Sequence, residues 1–169
     1  MRTAVKLVDG LNKLVGAAVA VMLGTMAILI IVQVFCRFVI NYPLHWTEEL
    51  ARYLMVYVVF LGSALALRHS KLVAIEAVAE ALKPKARKWL KIVVMLVSIV
   101  FFVVLLKQGI DIQSVVSRQT AAGLGIPMSI PYAAIPIGAA LLLLNAIAVI
   151  MESLTTPATE QNTQLEERL

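Results

Sequence analysis

Four long apolar runs constrain this chain more than any other feature of its sequence. Each run has about the length of a membrane-crossing helix, because a hydrocarbon core of roughly 30 Å needs about 20 apolar residues. We place the four spans at about residues 14–36, 48–67, 89–108 and 130–151. The runs are too long for strands and lack the period-two alternation of a transmembrane barrel. The sequence therefore predicts an all-α integral membrane protein.

Composition agrees with that fold class. The 169 residues are 61% hydrophobic and only 15% charged, and their mean hydropathy is +0.91, well outside the range of ordinary soluble domains. The first apolar run resembles a secretory signal, but it continues past Ile31 to a charged flank at Arg37. A signal's apolar region is only about 7 to 15 residues long. We therefore expect the first run to remain as a span.

Basic residues predict the orientation of the four spans. Three precede the first span, and seven follow the second span before or at the start of the third. They are Arg2, Lys6 and Lys13, then Arg68, Lys71, Lys83, Lys85, Arg87, Lys88 and Lys91. Because cytoplasmic loops are enriched in Lys and Arg, we expect both termini in the cytoplasm. Topology thus accounts for the net charge of +5, and we expect no nucleic-acid partner.

The connection between the second and third spans contains an amphipathic segment. In "KLVAIEAVAEALK", residues 71–83, apolar side chains share one helical face and charged ones the other. This pattern indicates a helix on the cytoplasmic membrane surface. The residues that we assign to lipid headgroups and the interface are Lys83, Lys85, Arg87, Lys88 and Trp89. We expect residues 1–154 to form one membrane domain and 155–169 a disordered cytoplasmic tail.

The stretch "HWTEELARY" puts two carboxylates at the start of the second span. Glu48 and Glu49 are adjacent, so on a helix they diverge by about 100° and cannot act as a facing acid/base pair. Thr47 is a suitable N-cap, both carboxylates complement the helix dipole, and Arg52 is within reach of both. Trp46 fits an interfacial belt. We favour a helix start that anchors at the membrane surface over a substrate or ion site.

The sequence shows no cofactor or metal site. Cys36 is the only cysteine, so no CxxC site exists. The two histidines, His45 and His69, are expected on opposite sides of the membrane and cannot together ligate a haem. No ionisable residue lies deep in a span, where ion carriers usually have one. We predict no catalytic residue, no metal and no cofactor.

Polar and small residues in the spans indicate helix packing. Gln33 and Asn145 carry amides that more often bond between helices than carry ions. Gly16, Ala20 and Gly24 recur every four residues, which permits close approach of another helix. The residues leave open whether that helix belongs to this chain or to a partner.

Two segments together resemble a known family. They are "VFCRFVINYPLHWTEELARYLMVYVVFLGSALALRHSKLVAIEAV" and "GLGIPMSIPYAAIPIGAALLLL". They are similar to the small membrane subunit, the DctQ-type permease, of tripartite ATP-independent periplasmic (TRAP) transporters. The residues that carry the resemblance and that we assign to structure or subunit contacts are Arg37, Trp46, Glu48, Glu49, Arg52, Gly62, Pro127, Pro131 and Tyr132.

The resemblance implies a multi-pass protein of the bacterial inner membrane with no enzymatic activity. It implies a large permease subunit as partner, which holds the substrate and sodium sites, and a periplasmic binding protein that delivers an organic anion such as a carboxylate or sialic acid. This chain would brace the large subunit and contribute to the periplasmic docking surface. The residues alone also permit a free-standing small transporter or an assembly factor that acts as a homo-oligomer.

Overall fold

The computed structural model describes residues 2–42, 44–68 and 84–155, and all regular structure there is helical. Helix α1 spans Arg2–Phe35 and continues as a π-helical turn, Cys36–Ile40. The other helices are α2 His45–Arg68, α3 Pro84–Val116, α4 Ser129–Tyr132 and α5 Ala134–Thr155. The predicted surface helix 71–83 and residues 156–169 lie outside the described residues.

Within the described ranges, four segments are long and apolar enough to cross a membrane. They are Leu7–Ile40, His45–Arg68, Ile92–Val116 and Ser129–Met151. The prediction of four membrane helices is therefore confirmed. Helix α3 has 33 residues and extends about 50 Å at 1.5 Å per residue, more than the roughly 30 Å of a hydrocarbon core. It must tilt or project from the bilayer.

The long helices form an open row rather than a closed bundle. Helix α1 packs along α2, α2 along α5, and α5 along α3. Among the described residues, the backbone of α3 approaches neither α1 nor α2 closely. Half of the α5 span is buried, compared with 6% of the α1 span and 11% of the α3 span. Helices α1 and α3 are thus the two edges of the row, and α5 lies in its interior.

The hydrophobic core lies along this row of helices. One hydrophobic cluster contains residues from all four long helices. Helix α2 contributes Leu61, Ala64 and Leu67, α1 contributes Val19, and α3 contributes Met95 and Phe102. The α5 members of the cluster are Leu141, Leu142, Ala146 and Val149. Small residues let the backbones approach, as is usual in membrane helices. A Cβ at Gly138 would stand 2.6 Å from Phe60 Cβ of α2, so this contact requires glycine.

The fourth span is divided near its start. Pro136 has no N–H, so it cannot donate to the carbonyl four residues earlier, and the helix is interrupted at Ala133, between α4 and α5. The two helices continue in the same direction because backbone hydrogen bonds connect them across the break. Ala133 N donates to Ser129 O at 3.0 Å, and Ile137 N donates to Ala133 O at 3.2 Å. The break in the fourth span thus agrees with the missing donor of Pro136.

Candidate functional site

The carboxylate of Glu49 joins the start of α2 to the loop between α3 and α4. Its Oε2 accepts hydrogen bonds from the backbone N–H groups of Gly123 at 2.7 Å and Leu124 at 2.9 Å. Its Oε1 accepts the hydroxyl of Tyr53, one turn further along α2, at 2.6 Å. Hydrogen bonds to an ionised acceptor are about twice as strong as neutral ones. We call these four residues the Glu49 cluster.

The loop that Glu49 binds, residues 117–128, has its own backbone structure. An isolated antiparallel bridge pairs Thr120 with Pro127. Within it, Ala121 N donates to Ile126 O at 2.8 Å, and Gly125 N donates to Ala121 O at 2.9 Å. Gly125 has φ +65°, a left-handed conformation that glycine adopts without strain. The loop is therefore a compact turn that presents two N–H groups side by side to Glu49.

Gly123 is required by this contact. A Cβ at that position would stand 2.5 Å from Glu49 Oε2 and 3.5 Å from the Cα of Trp46. Real Cβ atoms do not approach other atoms that closely, so any side chain at residue 123 would displace the carboxylate. Nothing in the local sequence shows which atoms approach this glycine, because Glu49 is 74 residues away.

A second tyrosine extends the connection from α2 to α4. The hydroxyl of Tyr57 donates to the carbonyl of Ile130 at 2.6 Å. The hydroxyls of Tyr53 and Tyr57 therefore lie one turn apart on the face of α2 that contacts the loop and α4. The start of α2 therefore positions both the loop and the beginning of the fourth span.

Glu48 points elsewhere and has weaker contacts. Its Oε1 lies 3.4 Å from Arg52 Nη2, with both side chains more than half exposed, and its Oε2 accepts from Gln33 Nε2 of α1 at 3.4 Å. The divergence of the two carboxylates was predicted, and Arg52, which was expected within reach of both, pairs with Glu48. Glu49 is occupied by the loop and by Tyr53, so the guanidinium bonds only Glu48.

The prediction that Thr47 is the N-cap of the second helix was wrong. Helix α2 begins at His45, so Thr47 lies in the first turn. Its buried hydroxyl donates to the carbonyl of Leu44 at 2.7 Å. The helix starts earlier than expected because Leu44 O accepts from Thr47 N at 3.3 Å, which closes a turn before the threonine.

A second polar cluster joins three helices toward the other end of α2. Asn12 of α1 and Asn145 of α5 exchange reciprocal amide hydrogen bonds at 2.7 and 3.0 Å. Asn145 also donates to the carbonyl of Ala64 of α2 at 2.8 Å. Nearby, Arg68 bonds Asp9 with Nε and Nη2, both at 2.9 Å. We call these five residues the Asn145 cluster.

The remaining predicted residues occupy different surroundings. Pro131 is buried in α4, whereas Arg37, Trp46, Pro127 and Tyr132 are exposed. A Cβ at Gly62 would meet nothing within 4 Å. Trp89 near the start of α3 is 70% exposed. Lys85, Arg87 and Lys88 lie in the first turns of α3, where their side chains are outside the described part of the chain, and Lys83 lies outside it altogether.

Among the residues that the structure describes, the small-residue stripe of α1 does not form a continuous contact. A Cβ at Gly16 would meet Leu65 of α2 at 3.8 Å, whereas Ala20 is exposed and Gly24 has nothing within 4 Å. The reason is that α1 is an edge helix with α2 as its main neighbour. The amide of Gln33 bonds Glu48 at the end of α1 rather than another helix deep in the row.

Sequence reasoning missed Asn12, Asp9 and Tyr57. Asn12 precedes residue 14, where the first span was placed, so it lay outside the segments considered for helix packing. The available signal was Asn145: a lone amide in an apolar helix needs a partner, and Asn12 carries the matching group. Within the described residues, no three His, Cys, Asp or Glu side chains converge as metal ligands. The arrangement can fix loops and helices, and its carboxylate already has three donors.

Comparison with known proteins places the chain in a family. The family model described as "Tripartite ATP-independent periplasmic transporters, DctQ component" matches residues 26–156. The chain is also 33% identical over 119 residues to the sialic acid TRAP transporter permease protein SiaT of Haemophilus influenzae. That alignment covers 70% of this chain and 19% of the relative, so the chain spans about a fifth of the relative's length.

Proposed function

The chain belongs to the DctQ family of TRAP transporter components, and from this premise we propose that it is the small, non-catalytic membrane subunit of such a transporter. Its task is to brace a large permease subunit and to shape the surface on which a periplasmic binding protein docks. The family match and the four apolar helices support a multi-pass membrane protein that works with other TRAP components.

The observation that carries this proposal is the use made of Glu49. An ionised carboxylate has about four acceptor positions, and three of those on Glu49 accept hydrogen bonds from this chain's own groups, which leaves little capacity for a cation or a substrate. The bonds fix loop 117–128 against α2. The acidic start of α2 therefore holds this loop in place and so determines the shape of the protein surface there.

The polar residues whose side chains are buried as a whole support the same division of labour. In the described part of the chain these residues are Asn12, Thr47 and Asn145, and each bonds another group of the chain. Amides paired in this way hold helices together. The substrate and ion sites would then belong to the large subunit, which we expect to cover an edge of the helix row in a heterodimer.

The transported solute and the ion that drives its transport are proposals that rest on the family. The relative's name specifies sialic acid, and we propose an organic anion, either a carboxylate or sialic acid, carried in symport with sodium. We place the chain in the bacterial inner membrane with both termini in the cytoplasm. The basic residues in the N-terminal part of α1, Arg2, Lys6 and Lys13, and those from Arg68 to Lys91 support this orientation.

Co-expression with the large subunit tests the proposal. We expect the two chains to purify in equal amounts and to support uptake into vesicles when the binding protein is added. Glu49→Lys should retain the helical content and reduce uptake or assembly by about tenfold, because it breaks two charge-assisted hydrogen bonds to the loop. Asp111→Lys is the matched control, since Asp111 is exposed on α3 near the same end of the row.

Two results would contradict the proposal. In the first, Glu49→Lys and Asp111→Lys complexes assemble and transport equally well. In the second, the chain forms stable homo-oligomers that take up solute without a large partner, which would instead support a free-standing transporter.

A further inference from the structure

A polar cleft separates the end of α1 from the start of α2. It has a volume of about 350 Å³ and is lined by Gln33, Arg37, Leu44, His45 and Glu48. Small-molecule sites range from roughly 300 to 1,000 Å³, so the cleft is large enough for a small polar group. The π-helical turn Cys36–Ile40 forms one wall, and such turns are frequent at functional sites.

Arg37 gives the cleft an unpaired cation. Its side chain is exposed and, among the described residues, makes no hydrogen bond or ion pair. A guanidinium presents donors in a planar fork that matches phosphate or carboxylate oxygens. His45 lines the cleft as a second donor. This side of the cleft favours an anionic oxygen group.

Glu48 gives the opposite charge. Its two contacts, to Arg52 and Gln33, are both 3.4 Å long, which is beyond the usual range of 2.7 to about 3.2 Å. The carboxylate therefore keeps acceptor capacity for an ammonium group. A cleft with both a cation and an anion therefore suits a ligand that carries both charges better than a purely anionic one.

The cleft lies at the depth of lipid headgroups. Arg37 follows Lys13 by 24 residues with no charge between them, a separation of about 36 Å along a helix, slightly more than the roughly 30 Å hydrocarbon core. Phe38 and Tyr42 beside it are 75% and 67% exposed. Exposed aromatic side chains of this kind are typical of the membrane–water interface.

We propose that this cleft binds the headgroup of a zwitterionic aminophospholipid, with Arg37 and His45 on the phosphate and Glu48 on the amine. The site would hold one lipid at the junction of α1 and α2. This inference does not depend on the transporter role, because it concerns only the chain and its bilayer.

Native mass spectrometry of the full chain in detergent tests the proposal, with phosphatidylethanolamine and phosphatidylglycerol as probes. We expect one phosphatidylethanolamine to bind more tightly than phosphatidylglycerol. Arg37→Gln should weaken that binding about tenfold, the loss of a charge-assisted hydrogen bond. Arg37→Lys should lose less, because it keeps the charge without the fork. Arg118→Gln, an exposed arginine after α3, is the control and should bind as the original chain does.

Glu48→Gln separates the two halves of the site. It should reduce or abolish the preference for phosphatidylethanolamine over phosphatidylglycerol, because the acceptor for the amine loses its charge. Equal binding of both lipids by the original chain would overturn the proposal. So would equal lipid binding by the Arg37→Gln and Arg118→Gln variants. Loss of a protein partner with unchanged lipid binding in Arg37→Gln would instead assign the cleft to an acidic side chain of that partner.

Discussion

The Asn145 cluster and the Glu49 cluster both join helices through hydrogen bonds, but they do so in different surroundings. Asn12 and Asn145 are 5% and 1% exposed, and their neutral amides bond side chain to side chain. Glu49 is half-buried and uses its charge on the backbone of a loop. The first arrangement fixes which helices are neighbours. The second fixes the shape of a surface beside those helices.

This difference has a physical cause. A buried amide without a partner loses its hydrogen bonds to water and forms no others, which costs free energy. The arrangement of helices that pairs the two amides is therefore the more stable one. A partly exposed carboxylate can return to water if the loop moves, so its bonds select a loop conformation without deciding the fold. We therefore expect changes at the Asn145 cluster to affect stability most and changes at the Glu49 cluster to affect local order.

The largest expected effect is that of Asn145→Leu. It leaves the amide of Asn12 and the carbonyl of Ala64 without their partner, and we expect a loss of about 2 kcal/mol in the free energy of unfolding. Denaturant unfolding in detergent micelles measures it. Ser98→Ala is the control, because that hydroxyl bonds only its own helix, to Val94 O at 2.8 Å.

The double variant Asn12→Leu with Asn145→Leu sharpens this prediction. Replacing both amides removes the unpaired group, so the double variant should lose less stability than the two single variants added together. Simple additivity would mean that the two amides do not depend on each other. The reciprocal pair would then have no special role in placing α1.

The next effect is that of Gly123→Ala, which breaks the Glu49 cluster from the loop side. The new Cβ would stand 2.5 Å from Glu49 Oε2 and force the carboxylate or the loop to move. We expect a loss of about 1 kcal/mol, the worth of one or two partly exposed hydrogen bonds, and faster exchange of the Leu124 amide hydrogen. Gly24→Ala is the control, since its Cβ would meet nothing within 4 Å. Equal behaviour of the two variants would contradict the contact.

Tyr57→Phe should have a smaller effect. It removes the 2.6 Å hydrogen bond to Ile130 O, while the ring stays in place and the freed carbonyl can be hydrated. We expect a loss of about 0.5 kcal/mol and faster amide exchange in α4 with unchanged exchange at Asn145. Faster exchange at both places would mean that the two clusters are coupled.

The smallest effect is expected for Arg52→Gln. The ion pair with Glu48 is 3.4 Å long, and both side chains are mostly exposed. Exposed pairs of this kind contribute between 0 and about 1 kcal/mol, so we expect no measurable change in unfolding. A clear loss of stability would show that Glu48, and not only Glu49, holds the start of α2.

The sequence predicted the four membrane helices because each signal lies within one segment of chain. Length and hydropathy place a span without reference to any other span, and Pro136 weakens a helix through its own missing N–H. The family resemblance was equally local, since it rests on runs such as "HWTEELARY" and "GLGIPMSIPY". The family match over residues 26–156 confirms it.

What the sequence could not show are the contacts between distant segments. Glu49 and Gly123 are 74 residues apart, and Asn12 and Asn145 are 133 apart. No periodicity within one helix indicates which helix is its neighbour, so the open row with α5 inside it was not predicted. The prediction of an N-cap at Thr47 was wrong because the hydrogen bond from Thr47 N to Leu44 O closes an earlier turn, which no residue type in the stretch indicates.

Transport by the reconstituted complex with Glu49→Gln tests the central claim most directly. This variant keeps the size of the side chain and removes the charge that strengthens its bonds to the loop. We predict a higher KM for the loaded binding protein, by about threefold to tenfold, with the cation dependence of uptake unchanged. A shifted cation dependence with an unchanged KM would contradict the account, because Glu49 would then act in ion coupling rather than in shaping a surface.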